Sequence, residues 1–159
     1  MFKIVEKKVL SPSVKQFAMA APQIAKKCHP GQFVIIRIDE DGERLPLTIA
    51  DFDRDKGTIT LLFQEVGAST QQLGKLAEGD SILDIAGPLG KPTNIKNMGV
   101  VVCIGGGIGT APVYPIARAM KAAGNRVISI IGARNEELLI FVDEMKNVSD
   151  ELYITTDDG

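Results

Sequence analysis

Between Val100 and Pro112 the chain reads Val-Val-Val-Cys-Ile-Gly-Gly-Gly-Ile-Gly-Thr-Ala-Pro, an apolar run that breaks into four glycines and then into helix-forming residues. A short β-branched run of this kind predicts a core strand, and glycines at its end let the backbone turn tightly and approach a ligand. Where the next helix opens, its unpaired N–H groups and its dipole suit a pyrophosphate. The segment therefore demands strand, turn and helix in that order, and a dinucleotide is the ligand it fits most directly.

The match to the dinucleotide fingerprint is partial. Gly105 and Gly107 take its first two glycine places, and Thr110 stands at the sixth. Gly106 and Gly109 add to the turn, so Gly105, Gly106, Gly107, Gly109 and Thr110 are the candidate nucleotide contacts. The following residues support a helix over 110–123, because Val113, Ile116, Ala117, Met120 and Ala123 recur at helical spacing and Gly124 follows as a stop. Pro112 suits the first turn, whereas Pro115 removes one backbone hydrogen bond and is expected to kink the helix. A glycine-rich junction that serves only close packing is the alternative.

The two halves of the chain differ in pattern. Segments 2–9, 14–20, 32–38, 45–50, 58–66 and 81–86 are rich in β-formers or alternate in polarity, and Pro30-Gly31, Asp41-Gly42, Lys56-Gly57, Glu78-Gly79 and Gly87-Pro88 punctuate them. Six strands with one short helix over 69–76 predict a small antiparallel Greek-key barrel. From Met98 the order becomes strand 100–104, helix 110–123, strand 127–131, helix 135–146 and strand 152–155, which predicts a parallel sheet covered by helices. The expected fold class is thus β + α/β, with residues 1–95 as a barrel domain and 96–159 as an incomplete nucleotide-binding sheet.

A net charge of −2, from 18 basic and 20 acidic residues without a basic cluster, argues against nucleic-acid and anionic-membrane partners. No apolar run approaches a membrane span, the N-terminus lacks the apolar stretch of a signal peptide, and the expected location is the cytoplasm. The two cysteines, Cys28 and Cys103, lack metal-ligand spacing, so free thiols and no metal site are expected. His29, the only histidine, precedes Pro30-Gly31 and reads as a surface turn residue.

Three further segments carry polar groups in useful places. On a strand through Arg44-Leu45-Pro46-Leu47-Thr48, Arg44, Pro46 and Thr48 share one face and Leu45 and Leu47 the other. A guanidinium there binds phosphate and a hydroxyl hydrogen-bonds a ring nitrogen; a strand-edge arginine and plain β-propensity are the alternatives. Gly67-Ala68-Ser69-Thr70 reads as a helix start whose amides suit a pyrophosphate, with Ser69 or Thr70 adding a hydroxyl or simply capping. Arg134 follows the second parallel strand where an acidic residue would grip an NAD ribose, and it suits the 2′-phosphate of NADP or a solvated loop.

The order of Pro30-Gly31-Gln32-Phe33-Val34, Arg44 to Thr48, Gln64 to Thr70, Gly87-Pro88-Leu89-Gly90 and Gly105 to Pro112 resembles the ferredoxin–NADP reductase-like flavoproteins. The wording is most similar to the small, flavin-bearing subunit of NADH-dependent ferredoxin:NADP oxidoreductases, formerly described as a sulfide dehydrogenase subunit. The electron-transfer subunit of type B dihydroorotate dehydrogenase is a near relative. In this chain the arginine stands four residues before the hydroxyl instead of the family's three, and Leu47 replaces an aromatic. The resemblance implies FAD on the barrel, with Arg44, Leu45, Pro46, Leu47, Thr48, Gly67, Ser69 and Thr70 as contacts and Thr48 as the residue at the reacting ring. Gln64 and Val66 would present backbone groups to the adenosine side. It also implies NAD(P)H on the second half and hydride exchange between the two cofactors. Electrons would pass onward to a larger iron–sulfur/flavin subunit and, indirectly, to ferredoxin.

Full-length relatives carry a [2Fe–2S] cluster, and two cysteines cannot supply its four thiolates. The resemblance covers only the front part of the relatives. A non-catalytic nucleotide-binding module is the alternative from another class, since fold does not settle function. The expected strand order leaves 100–104 at the side of the sheet as an open apolar edge, which predicts self-association of this form or a loosely ordered second domain, with weak nicotinamide binding even where FAD is held.

Overall fold

In the computed structural model, which describes residues 1–159, alternating polarity in the first half builds β1 (Phe2–Val9), β2 (Val14–Ala20), β3 (Phe33–Arg37), β4 (Leu45–Asp53) and β5 (Thr58–Gln64). They lie in one antiparallel sheet with two shorter strands, β6 (Ser81–Ile82) and β7 (Asp84–Leu89), in the order β6-β1-β2-β5-β4-β3-β7. The strand expected over 81–86 is therefore two strands. Ser81 and Ile82 pair with β1 while Asp84 to Leu89 pair with β3, and between them Leu83 N–H donates to Ile38 O at 2.9 Å. One passage of chain thus supplies both outer strands, and the sheet curls into a nearly closed barrel.

Inward residues from these strands form one core. Ile4, Phe17, Met19, Val34, Ile36, Ile49, Ile59, Leu61 and Phe63 are buried together, with Phe17 edge-on to Phe63 at 5.0 Å between ring centres. Two short helices join that core: α1 (Pro22–Lys27) through Ile24 and Ala25, and α2 (Ala68–Lys75) through Leu73. Helix α1 was not expected from the sequence, although Pro22 at its first turn and Lys26 and Lys27 in its last are ordinary helix signals.

Helix α2 is fixed at its C-terminal end. Lys7 Nζ on β1 donates to the carbonyls of Gly74 and Leu76, both at 2.7 Å, where the last turn leaves acceptors unpaired. Glu65 lies against the same turn: a Cβ on Gly74 would stand 1.7 Å from Glu65 Oε1. The Glu65 carboxylate in turn pairs with the nearly buried Lys15 at 3.1 Å. These contacts hold the C-terminal end of α2.

Residues Met1–Pro92 form one compact unit and Thr93–Gly159 another. In the second, β8 (Val100–Gly106), α3 (Thr110–Ala122), β9 (Arg126–Ala133), α4 (Val142–Val148) and β10 (Glu151–Thr156) give a parallel sheet of order β10-β9-β8. Cys103, Val127 and Ile131 are buried with Ala117, Met120 and Met145 of the helices. Val100, Val102 and Ile104 alternate onto the opposite face, where they are exposed, and β8 is an outer strand of the sheet.

The helix expected over 135–146 forms only in its second half. Residues Glu136–Leu138 make a single 3-10 turn capped by Asn135, whose Oδ1 accepts from Leu138 N–H at 3.1 Å. The chain then extends, burying Ile140 and Phe141 before α4 begins. Phe141 adopts a left-handed backbone at φ 59° and sets its ring edge-on to Tyr114 of α3 at 5.4 Å. Burying an aromatic side chain is worth about 1.5–3 kcal/mol, enough to offset about 1–2 kcal/mol for a left-handed L-residue. Pro115 lies buried inside α3, which continues through it to Ala122.

Asn125 anchors the segment entering β8. Its Nδ2 donates to Lys96 O and Met120 O at 2.9 and 2.8 Å, and its Oδ1 accepts from Met98 N–H at 2.6 Å. Asn125→Ala leaves these groups without their partner, and a loss of about 2 kcal/mol in the second unit is expected in urea unfolding.

Candidate functional site

The β4 strand separates its side chains as alternation requires. Leu45 and Leu47 pack on the barrel core, Pro46 is exposed and Thr48 is half-buried on the outer side. Arg44 stands just before β4 begins, exposed, in the segment that follows the acidic turn. Thr48 pairs with Phe33 of β3, and Phe33 pairs with Leu89 of β7, so the three form one row across neighbouring strands.

Gly67 precedes α2 in extended backbone, and a Cβ placed on it would find no atom within 4 Å. The chain is therefore open to space at Gly67 itself, and the amides of the first turn of α2 have no carbonyl before them to bond. Thr70 belongs to the cap: its Oγ1 accepts from the Val66 and Gly67 amides at 3.0 and 3.1 Å and donates to Gly67 O at 3.0 Å. The Ser69 hydroxyl donates to Glu43, and Gln72 Nε2 donates to Asp39 at 2.9 Å. These bonds bring the segment carrying Arg44 to the first turn of α2. Gln64 is exposed at the end of β5, its side chain reaching Ser13 at 3.4 Å, and Val66 is 75 % exposed beside Gly67.

In the second unit the glycine turn divides by role. A Cβ on Gly105 would stand 2.8 Å from Thr110 Cα, so this glycine lets β8 pass against the start of α3. Cβ atoms on Gly106, Gly107 and Gly109 would meet nothing within 4 Å, and Gly107 has φ +52°, which suits glycine. Thr110 is buried at the head of α3. Gly106 pairs with Gly132 of β9, and Arg134 follows β9 at the same carboxyl end of the sheet, exposed. Ligands of open parallel sheets bind at that end, and Gly106, Gly107 and Gly109 leave open space there.

The family model described as the oxidoreductase FAD-binding domain matches residues 1–93. This chain belongs to that FAD-binding family. Among curated proteins it is 47 % identical over 156 residues to the dihydroorotate dehydrogenase B (NAD(+)) electron transfer subunit homolog of Thermotoga maritima, matching 98 % of this chain and 55 % of that protein. It is 33 % identical over 141 residues to the electron transfer subunit of Fusobacterium nucleatum, matching 84 % of this chain and 54 % of that one. A solved NADH-dependent reduced ferredoxin-NADP oxidoreductase superposes with a TM-score of 0.95 at 45 % identity, over 100 % of this chain and 58 % of that one. Phthalate dioxygenase reductase, at 20 % identity and a TM-score of 0.82, shares the fold over 99 % of this chain and 51 % of its own. The chain thus spans a little over half the length of these relatives. Barrel and parallel sheet together make the ferredoxin reductase-like fold, and the resemblance read from the sequence holds.

As a member of the FAD-binding family, the first unit offers the open end of α2, the exposed Arg44 and the outer row through Thr48. Both cysteines are buried, and burial pushes their thiols above the usual range, away from nucleophilic or ligand chemistry. No cluster of His, Cys, Asp and Glu is arranged to hold a metal ion. No helix is long and apolar enough to cross a membrane. Sequence reasoning gave no role to Glu43 or Gln32. Glu43 stands beside Arg44, but its bond to Ser69 depends on tertiary contact that spacing does not reveal.

Proposed function

We propose that residues 1–95 hold FAD and that residues 96–159 bind a nicotinamide nucleotide, in a flavin-dependent electron-transfer module of an oxidoreductase. The observation that carries this reading is the N-terminus of α2, where Gly67 leaves room, the first-turn amides have no preceding carbonyl and suit a pyrophosphate, and Arg44 is close in sequence to the Glu43–Ser69 bond. FAD, when bound, supplies the redox chemistry, exchanging a hydride with NAD(P)H and passing electrons on. The chain's part is placement: Leu45 and Leu47 fix β4 to the core, and Pro46 and Thr48 face the flavin. Arg44, Ser69 and the first-turn amides hold the phosphates, Thr70 shapes the cap, and Gln64 and Val66 border the adenosine. In the second unit Gly105 closes the strand-to-helix junction, and Gly106, Gly107, Gly109 and Thr110 receive the nucleotide phosphates. Arg134 meets the 2′-phosphate when NADP is the ligand.

The recipients are a larger iron–sulfur/flavin subunit and, through it, ferredoxin, in the cytoplasm. The relatives described as dihydroorotate dehydrogenase electron transfer subunits favour a second version, in which the partner oxidises dihydroorotate. Co-purification of the partner separates the two. Titrating the purified chain with FAD tests the core of the proposal: a flavin spectrum that bleaches on anaerobic NADH or NADPH is expected, and a chain that takes up no FAD overturns it. A chain that holds nucleotide but transfers no electrons is a regulatory module instead.

Thr48→Val keeps the shape of the residue and removes its hydroxyl. Flavin reactivity is expected to change while the melting temperature stays close to wild type, and equal reduction rates and FAD affinity would remove Thr48 from the site. Arg134→Ala is expected to weaken NADPH more than NADH by about 1 to 3 kcal/mol, the worth of a charged hydrogen bond. Parallel titrations with the two nucleotides give the answer, and equal effects exclude a 2′-phosphate contact.

A further inference from the structure

Gln32 lies just before β3 and is 8 % exposed. A buried amide needs partners for both its ends, and this one has them. Its Oε1 accepts from His29 N–H at 2.9 Å, and its Nε2 donates to Gly90 O at 2.9 Å. Its backbone carbonyl accepts from Ile49 N–H at 3.1 Å, and Ile49 is the residue after Thr48. A single residue therefore bonds the turn before β3, the strand bearing Thr48 and the segment that leaves β7.

That last segment, from Gly87 in the second half of β7 through Gly90 just after it, is held closely against β3. A Cβ on Gly87 would stand 2.6 Å from Val34 Cγ1, and one on Gly90 would stand 3.0 Å from Phe33 Cε1. Gly90 also has φ +81°, a conformation that favours glycine. Leu89, next to it, ends the row Thr48–Phe33–Leu89, two strand spacings or about 10 Å from Thr48. Packing alone would be met by an apolar side chain of similar volume. The Gln32 amide adds a directional constraint on the Gly90 carbonyl.

We infer that Gln32 is a positioning residue for the flavin: by bonding Gly90 O and Ile49 N–H together it sets the segment Gly87–Gly90 at a constant place relative to Thr48. The inference rests on the reading that the outer face through Thr48 carries the flavin ring. The chain's own contribution is a fixed frame, in which the Thr48 hydroxyl and the Gly87–Gly90 backbone lie on opposite sides of Phe33. Loosening one side changes the electrostatic surroundings of the ring before it changes how much FAD binds, because the phosphate contacts at α2 are untouched.

Two variants separate this role from a purely structural one. Gln32→Glu keeps the acceptor for His29 N–H and removes the donor to Gly90 O, whereas Gln32→Met removes both at similar length. The 159-residue chain is titrated with FAD, and the visible circular dichroism and midpoint potential of the bound flavin are measured beside thermal unfolding. Both variants are expected to hold FAD with Kd within about threefold of wild type, less than one net hydrogen bond. Their flavin dichroism and midpoint potential are expected to shift, most in Gln32→Glu. Variants that match wild type in dichroism and potential, even with lower melting temperatures, overturn the inference. A wild-type chain that takes up no FAD overturns the function proposed above and this inference with it.

Discussion

Gly109→Val is expected to raise the Kd for nicotinamide nucleotides about a hundredfold or more, a loss of about 2.7 kcal/mol, while the fold of the chain persists. Gly109 has φ −63°, a conformation any residue adopts, and a Cβ there meets no atom within 4 Å. The valine methyls therefore enter space that no protein atom uses, at the head of α3 where the phosphate is proposed to lie. Gly107→Val blocks the same space less cleanly, because φ +52° at that position strains a β-branched side chain by itself. Fluorescence titration with NADH and NADPH is the measurement, with FAD uptake as control. Unchanged nucleotide affinity in Gly109→Val would show that the open space is not a binding site.

Gly105→Ala acts on the fold instead. Its Cβ would lie 2.8 Å from Thr110 Cα, 3.1 Å from Thr110 N and 3.2 Å from Gly109 O, all backbone atoms that cannot rotate away. The junction of β8 with α3 has to separate, at a cost of about 3 kcal/mol, near the upper end for overpacking. Gly106→Ala, one residue on, has extended backbone and nothing within 4 Å, so a change within about 0.5 kcal/mol is expected. Hydrogen exchange of the second unit reads the contrast: amides of β8 and α3 lose protection in Gly105→Ala and keep it in Gly106→Ala. Equal behaviour of the two variants would mean that the junction is looser than the packing implies.

Much of this molecule is legible in its residue order because the strongest signals are local. Hydrophobic alternation marks β1, β2 and β5 to within a few residues, since a half-buried strand needs one apolar face. The run from Val100 through the glycines to Ala122 dictates strand, turn and helix before any tertiary contact is known. The parallel order follows from the same alternation of strand and helix. Likewise the two-residue period alone sets Leu45 and Leu47 on one face of β4 and Pro46 and Thr48 on the other.

Other features depend on what lies across space. The change of partner at Leu83, which makes two strands of one, exists because the barrel has to close. The helix expected over 135–146 gives way after Leu138 because burying Ile140 and Phe141 against the rest of the unit outweighs further helical hydrogen bonds. Glycine spacing named a nucleotide turn, but only packing separates Gly105, pressed on Thr110, from Gly106, Gly107 and Gly109, which face open space. Gln32 shows the same limit: the residue pattern reads it as the first residue of the strand expected over 32–38, while its bonds to His29 and Gly90 join positions 3 and 58 residues away. Periodicity and backbone preference act over a few residues, so the sequence carries them openly. Closure, close approach and buried amide bonding depend on how the folded backbone brings groups together, several of them distant in the chain, and the tertiary structure decides them.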